Sequence, residues 1–215
     1  NGQTVGKEQK ILTGADRLNV YLPLIKGKRI GIFANQTSIV GNTHLVDTLQ
    51  KLGITIKVIF GPEHGFRGTA DAGEKVGNYV DSKTGIPVVS LYGSKRYPSA
   101  DDLKDVDILI FDLQDVGKQP IPIVYGMTMG EYAMMLLGEK WVSEKANAIN
   151  AYNITTKPTA DTPFHFMVIK CHNYTHKSKY VLPVKPSPNL PEIQSIYLYP
   201  TSCLFEGTAL SEGRG

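Results

Sequence analysis

Four short apolar runs punctuate the first half of the chain, each followed by glycine, proline or clustered polar residues. They are Arg29–Ala34, Thr55–Phe60, Pro87–Gly93 and Val106–Asp112. Runs of this length, apolar at consecutive positions, predict strands buried on both faces. Between them the period lengthens. Leu18, Tyr21, Leu22 and Ile25 recur at helical spacing over Asp16 to Ile25. Lys26-Gly27-Lys28 then supplies a glycine stop and cations at the negative helix end. Thr43 to Leu52 places Leu45, Leu49 and Leu52 on one face, and Gly53 closes it. Ser99 caps a helix whose positive first turn holds Asp101 and Asp102. The order strand–helix–strand–loop–strand–helix–strand predicts a parallel sheet covered on both sides.

After Gly117 the pattern changes. Lys118 to Tyr125 is proline-rich and extended. Thr128-Met129-Gly130-Glu131 is a capping box that opens an amphipathic helix to about Trp141. Residues 142–162 are polar, Phe164 to Cys171 predicts a strand, and the prolines of 185–191 exclude regular structure. Glu192 to Tyr199 predicts a short helix. The expected fold class is α/β. The pattern divides at 117, with a parallel-sheet part over residues 1–117 and a remainder over 118–215.

Composition narrows the function classes. With 215 residues, 41% hydrophobic and 20% charged, the chain can bury a sizeable core. No apolar run approaches the ~20 residues of a membrane helix. A net charge of +3 without a Lys/Arg block argues for neither nucleic acid nor an acidic membrane surface. Cys171 and Cys203 are too far apart for a zinc pattern and too few for a disulfide framework, so free thiols are expected. The opening Asn1-Gly2-Gln3-Thr4 has neither a charged n-region nor an apolar h-region. His172 and His176 have metal spacing only if helical; they follow a predicted strand and flank Asn173-Tyr174-Thr175, so a surface loop is expected. No metal and no cofactor are expected.

The chemistry concentrates in Gly61-Pro62-Glu63-His64-Gly65-Phe66-Arg67-Gly68, where the second strand ends. Open α/β sheets bind ligands at the carboxyl ends of their strands. Glu63 stands there, and Asp112 and Asp115 stand at the end of the fourth strand, on the same edge. Paired carboxylates suit glycoside hydrolysis: one protonates the leaving oxygen, the other attacks or activates water. Such pairs stand about 5 Å apart for retention and about 6.5–9.5 Å apart for inversion. Arg67 can grip an anion through paired hydrogen bonds. His64 can tune Glu63 or share proton transfer. Each group also has a plainer role, since strand-end acids often cap helices or pair with lysines. The glycine-rich run 61–77 has neither the dinucleotide nor the P-loop phosphate pattern. The long loop to Gly85, with acids and lysines among its glycines, is expected to cover a site.

These residues resemble a known family. Asn35-Gln36-Thr37, the 61–68 octapeptide, Asp71-Ala72-Gly73-Glu74 and Leu91-Tyr92-Gly93 are similar to the DUF1343 family of exo-β-N-acetylmuramidases, NamZ. So are Phe111-Asp112-Leu113-Gln114-Asp115-Val116-Gly117, Pro186-Ser187-Pro188-Asn189, Glu206-Gly207-Thr208 and Ser211-Glu212-Gly213-Arg214-Gly215. The resemblance implies a Rossmann-like domain over residues 1–117 and a second, smaller α/β domain over 118–215, with removal of N-acetylmuramic acid from the non-reducing end of peptidoglycan fragments in the cleft between them. It implies a catalytic role for Glu63. Asp115 is the expected second carboxylate and His64 a further catalytic candidate. Asn35, Arg67, Asp112, Gln114, Asn189, Glu212 and Arg214 are the expected substrate contacts, with Glu212 competing for the second-acid role. Arg67 and Arg214 are the candidates to read the lactyl carboxylate that distinguishes this sugar. A periplasmic or secreted location follows from that substrate alone. Two departures stand out. Family members carry aromatic and arginine-rich sequence, then further strands and helices, between the Gly117 motif and Pro120–Thr128, where here the two abut. They also continue beyond Gly215. A non-catalytic binder of peptidoglycan fragments and a nucleotide-dependent transferase are the competing expectations.

Overall fold

The computed structural model describes residues 10–68, 77–95, 97–113, 167–175, 178–187 and 190–202. In chain order the elements are α1 (Leu18–Ile25), β1 (Arg29–Ala34), β2 (Ile39–Val40), β3 (Thr43–His44), α2 (Leu45–Lys51) and β4 (Thr55–Gly61). There follow β5 (Tyr79–Val80), β6 (Pro87–Ser90), α3 (Ala100–Leu103), β7 (Ile108–Asp112) and α4 (Ile193–Ser202).

Five strands form one sheet in the order β5-β6-β4-β1-β7. All neighbours are parallel except β5, which runs antiparallel to β6. The four parallel strands therefore lie in the order third, second, first, fourth, the arrangement of a Rossmann half with the next strand added beyond it. The expected α/β parallel sheet is what the structure shows. β1 is central: Ile30, Ile32 and Ala34 have no exposed surface. Ile59 of β4 and Leu45, Val46 and Leu49 of α2 are equally sealed, and α2 packs on β4. Full burial of each such side chain stabilises by about 1.5–3 kcal/mol. A second cluster joins Val58, Phe60 and Leu91, with Phe33, Val89, Leu103 and Val106 against it. A side chain at Gly31 would press on Leu109 and Val106 at 3.1–3.3 Å, so glycine there lets them close over β1.

β7 is less well covered. Leu109 and Phe111 are 45% and 53% exposed, although Phe111 tilts onto Phe33 at 5.2 Å between ring centroids. Among the described residues no strand pairs with the outer side of β7.

Several expectations need correction. The helix expected from Thr43 starts at Leu45, because Thr43–His44 pairs with Ile39–Val40 in a small hairpin. Gly41, at φ 59°, takes the left-handed first central position of its two-residue turn, which suits glycine. The loop to Gly85 contains β5. Met167 to Cys171, within the strand expected over 164–171, is not a strand; its neighbour His172 makes a single antiparallel bridge to Leu12. An apolar run forms a strand only where a partner edge is present. Residues 170–197, expected in the second domain, belong to the same compact unit as residues up to 114. The described residues of the other unit are 167–169 and 198–202. The capping box expected at 128–131 lies outside the described residues. Ser99 does cap α3: its Oγ accepts from the Asp102 N–H, and the Asp102 carboxylate accepts from the Ser99 N–H at 2.7 Å.

Candidate active site

In a sheet of this order the strand sequence reverses at β1, and open α/β sheets bind ligands in a crevice beyond the carboxyl ends at such a point. The segment Asn35–Ser38 enters it from β1 and Asp112 from β7, with Ala34 and Asp112 in register. The turn after β1 is fixed by its own side chains. Asn35 Oδ1 accepts from the Thr37 N–H and hydroxyl at 2.9 and 2.6 Å, and Ser38 Oγ accepts from the Asn35 N–H at 3.2 Å. Such short polar side chains hold a turn by folding back on the backbone. The Ser38 hydroxyl donates in turn to the main-chain carbonyl of Asp112, across the crevice. His44 braces the turn from behind. Its Nδ1 accepts from the Val46 N–H at 3.2 Å, so Nε2 carries the proton and donates to the Asn35 carbonyl at 2.8 Å. Burial lowers the pKa of His44, which keeps it neutral.

Asp112 is the electrostatically unusual group. Burial raises its pKa to about 6, Asp16 adds to the rise, and the Ser38 hydroxyl opposes it. Its Oδ2 is sealed from solvent with no partner among the described residues. A carboxyl group so placed holds its proton well above the ordinary range.

Glu63 and His64 stand beyond β4 on a turn closed by the Gly65 N–H to the Pro62 carbonyl at 3.0 Å. His64 is its third residue and has φ 68°. A left-handed histidine is uncommon outside sites that hold it there. The Glu63 side chain is exposed and has no partner among the described residues. His64 is buried, with Nδ1 unpartnered and Nε2 3.5 Å from the Ser187 hydroxyl. Ser187 belongs to a proline-rich strap that also meets Gln36, whose Nε2 donates to the Pro186 carbonyl at 2.9 Å. Gln36 in turn touches the end of the loop: Gly68 has φ 67°, and a Cβ there would come within 2.8 Å of the Gln36 side chain.

Arg67 differs from its expectation. Its Nε and Nη2 donate to both oxygens of Asp81 at 2.8 and 2.7 Å, and Nη2 also donates to Asp47 at 3.1 Å. Lys83 completes the group as a second cation on Asp47. Arg67 is thus already paired within the chain and does not offer the free guanidinium expected for a substrate carboxylate. The Arg67 hydrogen bonds, outweighing burial, hold Asp81 down to about 2. Burial alone would raise Asp47, but hydrogen bonds from Lys83 and Arg67 outweigh it and lower it.

Of the expected site residues, the structure brings Asn35, Glu63, His64, Arg67 and Asp112 to one edge of the sheet. Gln114, Asp115, Asn189, Glu212 and Arg214 lie outside the described residues. Asn35 spends its side-chain carbonyl on its own turn, and its amide N–H₂ has no described partner. Sequence reasoning missed Ser38, Ser187 and Asp47, and read Asp81 only as one of the acids of the loop expected to cover a site. The two serines lie beside or within the quoted motifs; Asp47 carries no local signal. Among the described residues no group of three or more histidines, cysteines or acids could hold a metal, and no helix is long and apolar enough to cross a membrane.

Comparison with known proteins gives this edge a family. The model of the N-terminal part of the exo-β-N-acetylmuramidase NamZ matches residues 30–119 and 116–194. The peptidoglycan β-N-acetylmuramidase NamZ of Bacillus subtilis (strain 168) is 36% identical over 253 aligned positions, covering 97% of this chain and 60% of that protein. Two crystal structures of DUF1343 family proteins from Bacteroides fragilis NCTC 9343 are also similar. One has a TM-score of 0.68 at 36% identity, covering 93% of this chain and 63% of its own. The other has 0.67 at 26% identity, covering 91% and 60%. The chain therefore spans about three fifths of the length of these relatives. The alignment with the Bacillus protein runs 253 positions but uses 97% of 215 residues, leaving about 44 positions of the relative without a counterpart. The two matched segments meet at 116–119, so the family sequence is interrupted just beyond β7. From the strand-end motifs to the matched segments on either side of that interruption, this chain belongs to the DUF1343, or NamZ, family.

Proposed function

We propose that the chain is an exo-acting glycoside hydrolase that releases N-acetylmuramic acid from the non-reducing end of peptidoglycan fragments. The reading is carried by one observation: two carboxyl groups in opposite environments stand on the same sheet edge, at the ends of strands flanking β1. Asp112, half-buried with Oδ2 sealed from solvent and its pKa raised to about 6, suits the general acid that protonates the leaving oxygen. Glu63, exposed and without a partner among the described residues, would act on the opposite side of the sugar. β4 and β7 are separated by two strand spacings, about 9.5 Å. His64 and the Asn35 amide line the same edge and would orient the sugar. The active location is outside the cytoplasm, where such fragments arise; this rests on the substrate alone.

A nucleotide-dependent transferase finds little support at β1. The turn there has no glycine-rich cradle, its Thr37 N–H is already taken by Asn35, and α2 is capped by His44 with Asp47 in its first turn. Phosphate binding at such a position relies on free N–H groups. A non-catalytic binder of peptidoglycan fragments stays in play because of one observation, the interruption at 116–119. Glu63→Gln tests the main reading. Release of N-acetylmuramic acid from a chromogenic β-glycoside should fall by ~10²–10⁴-fold, with fragment binding by calorimetry retained. Binding by wild-type protein without any cleavage would establish the binder instead.

A further inference from the structure

The 61–68 loop is pinned at both ends. It leaves β4 at Gly61, where even a methyl group would lie 3.2 Å from the returning Phe66 amide. Phe66 has no exposed surface and meets the edge of His44 at 4.6 Å. The Arg67 guanidinium lies over the Phe66 ring, 4.6 Å from its centroid. From there it reaches two acids that are almost wholly buried, Asp47 at 5% and Asp81 at 3% exposure. Asp47 sits in the first turn of α2. Asp81 organises the turn into β6, accepting from the Thr84 N–H and hydroxyl at 3.0 and 2.6 Å. One side chain thus joins two separate parts of the unit to the segment that carries Glu63.

The charges close within the group. Two cations, Arg67 and Lys83, face two anions, Asp47 and Asp81. No positive charge is left over for an anionic ligand, and Nη1 is the one Arg67 nitrogen without a described partner. A bidentate fork on a buried carboxylate is rigid as well as strong, and removing either member leaves the other buried and uncompensated.

We propose that Arg67 is a positioning residue: it fixes the turn bearing Glu63 by clamping the loop to Asp81 and Asp47, and does not read the substrate's lactyl carboxylate. The proposal rests on the glycosidase reading for its kinetic test and on the geometry alone for its structural one. Arg67→Lys keeps the charge but loses the fork; Asp81→Asn loses the acceptor charge from the other side. Each should lower kcat by ~100-fold, the scale of an ångström-sized misplacement. KM for the N-acetylmuramide should change little, and so should the preference for that glycoside over the N-acetylglucosaminide. The double variant should be no worse than the more impaired single one. In hydrogen exchange followed by mass spectrometry, peptides spanning 61–68 should exchange faster in both variants, while β1 and β4 stay protected. A raised KM confined to the N-acetylmuramide, with kcat intact, would overturn the proposal in favour of carboxylate reading. Unchanged exchange over 61–68 would overturn it independently of activity. If wild-type protein cleaves neither glycoside, the glycosidase reading fails, and the exchange data still decide the clamp.

Discussion

Asp112→Asn should make the protein more stable at neutral pH and less active. Asp112 has a folded pKa of about 6 against an ordinary 3.8, because burial disfavours its charge. A group raised in this way contributes its full stability below pH 3.8, and that contribution is lost as pH rises through 6. The difference of about 2 pH units corresponds to about 3 kcal/mol at 1.36 kcal/mol per unit. Asparagine keeps the shape and removes the titration. The variant should therefore match wild type near pH 4 and exceed it by up to ~3 kcal/mol at pH 7.5, with the gap opening between those values. Urea unfolding at a series of pH values measures this directly, as a shift in midpoint at constant slope. Activity should fall in the same variant, since the proposed general acid is lost. A stabilising substitution that abolishes function is the mark of a group held against its own preference. A variant less stable than wild type at pH 7.5, or a gap that does not close toward pH 4, would refute the buried-acid argument.

The clamp has the opposite pH signature. Asp81 is held down to about 2 by Arg67, so its stabilisation is present above pH 3.8 and is lost as pH falls toward 2. Asp81→Asn should remove about 2 kcal/mol of acid-dependent stability over that window, read by circular dichroism. Gly68→Ala should destabilise by ~1–3 kcal/mol in a thermal melt, because it adds a Cβ in a left-handed residue against Gln36.

The parallel sheet was legible because β1, β4 and β7 are short apolar runs with polar ends, a pattern that survives without knowledge of partners. The hairpin at Ile39–His44 was not, since two-residue strands leave no period to count, although Gly41-Asn42 carried a turn signal. Met167–Cys171 shows the reverse failure: apolar residues without a neighbouring edge stay irregular. Within the site, Glu63 and Asp112 could be read as strand-end acids from position alone. Their difference in proton affinity could not, because it comes from burial. Arg67 was legible as a guanidinium near the site, yet its partners lie 20 and 14 residues away in sequence. Residue type gives charge, and only the fold decides whether that charge is already matched.

The return of residues 170–197 to the sheet unit sets a schedule for making this protein. Leu12 and His172 exchange two main-chain hydrogen bonds, Arg17 Nη1 donates to the Lys170 carbonyl at 2.7 Å, and Gln36 and His64 reach Pro186 and Ser187. None of these can form on the ribosome until the 55 residues from 115 to 169 have been added. At about 5–20 residues per second that delay is about 3–11 s. During it the nascent sheet lacks these contacts at Leu12, Arg17, Gln36 and His64. A nascent chain stalled at residue 117 would hold most of the expected motifs but not the strap that meets them. The candidate site's edge is thus completed only after the segment from 115 to 169 has been made.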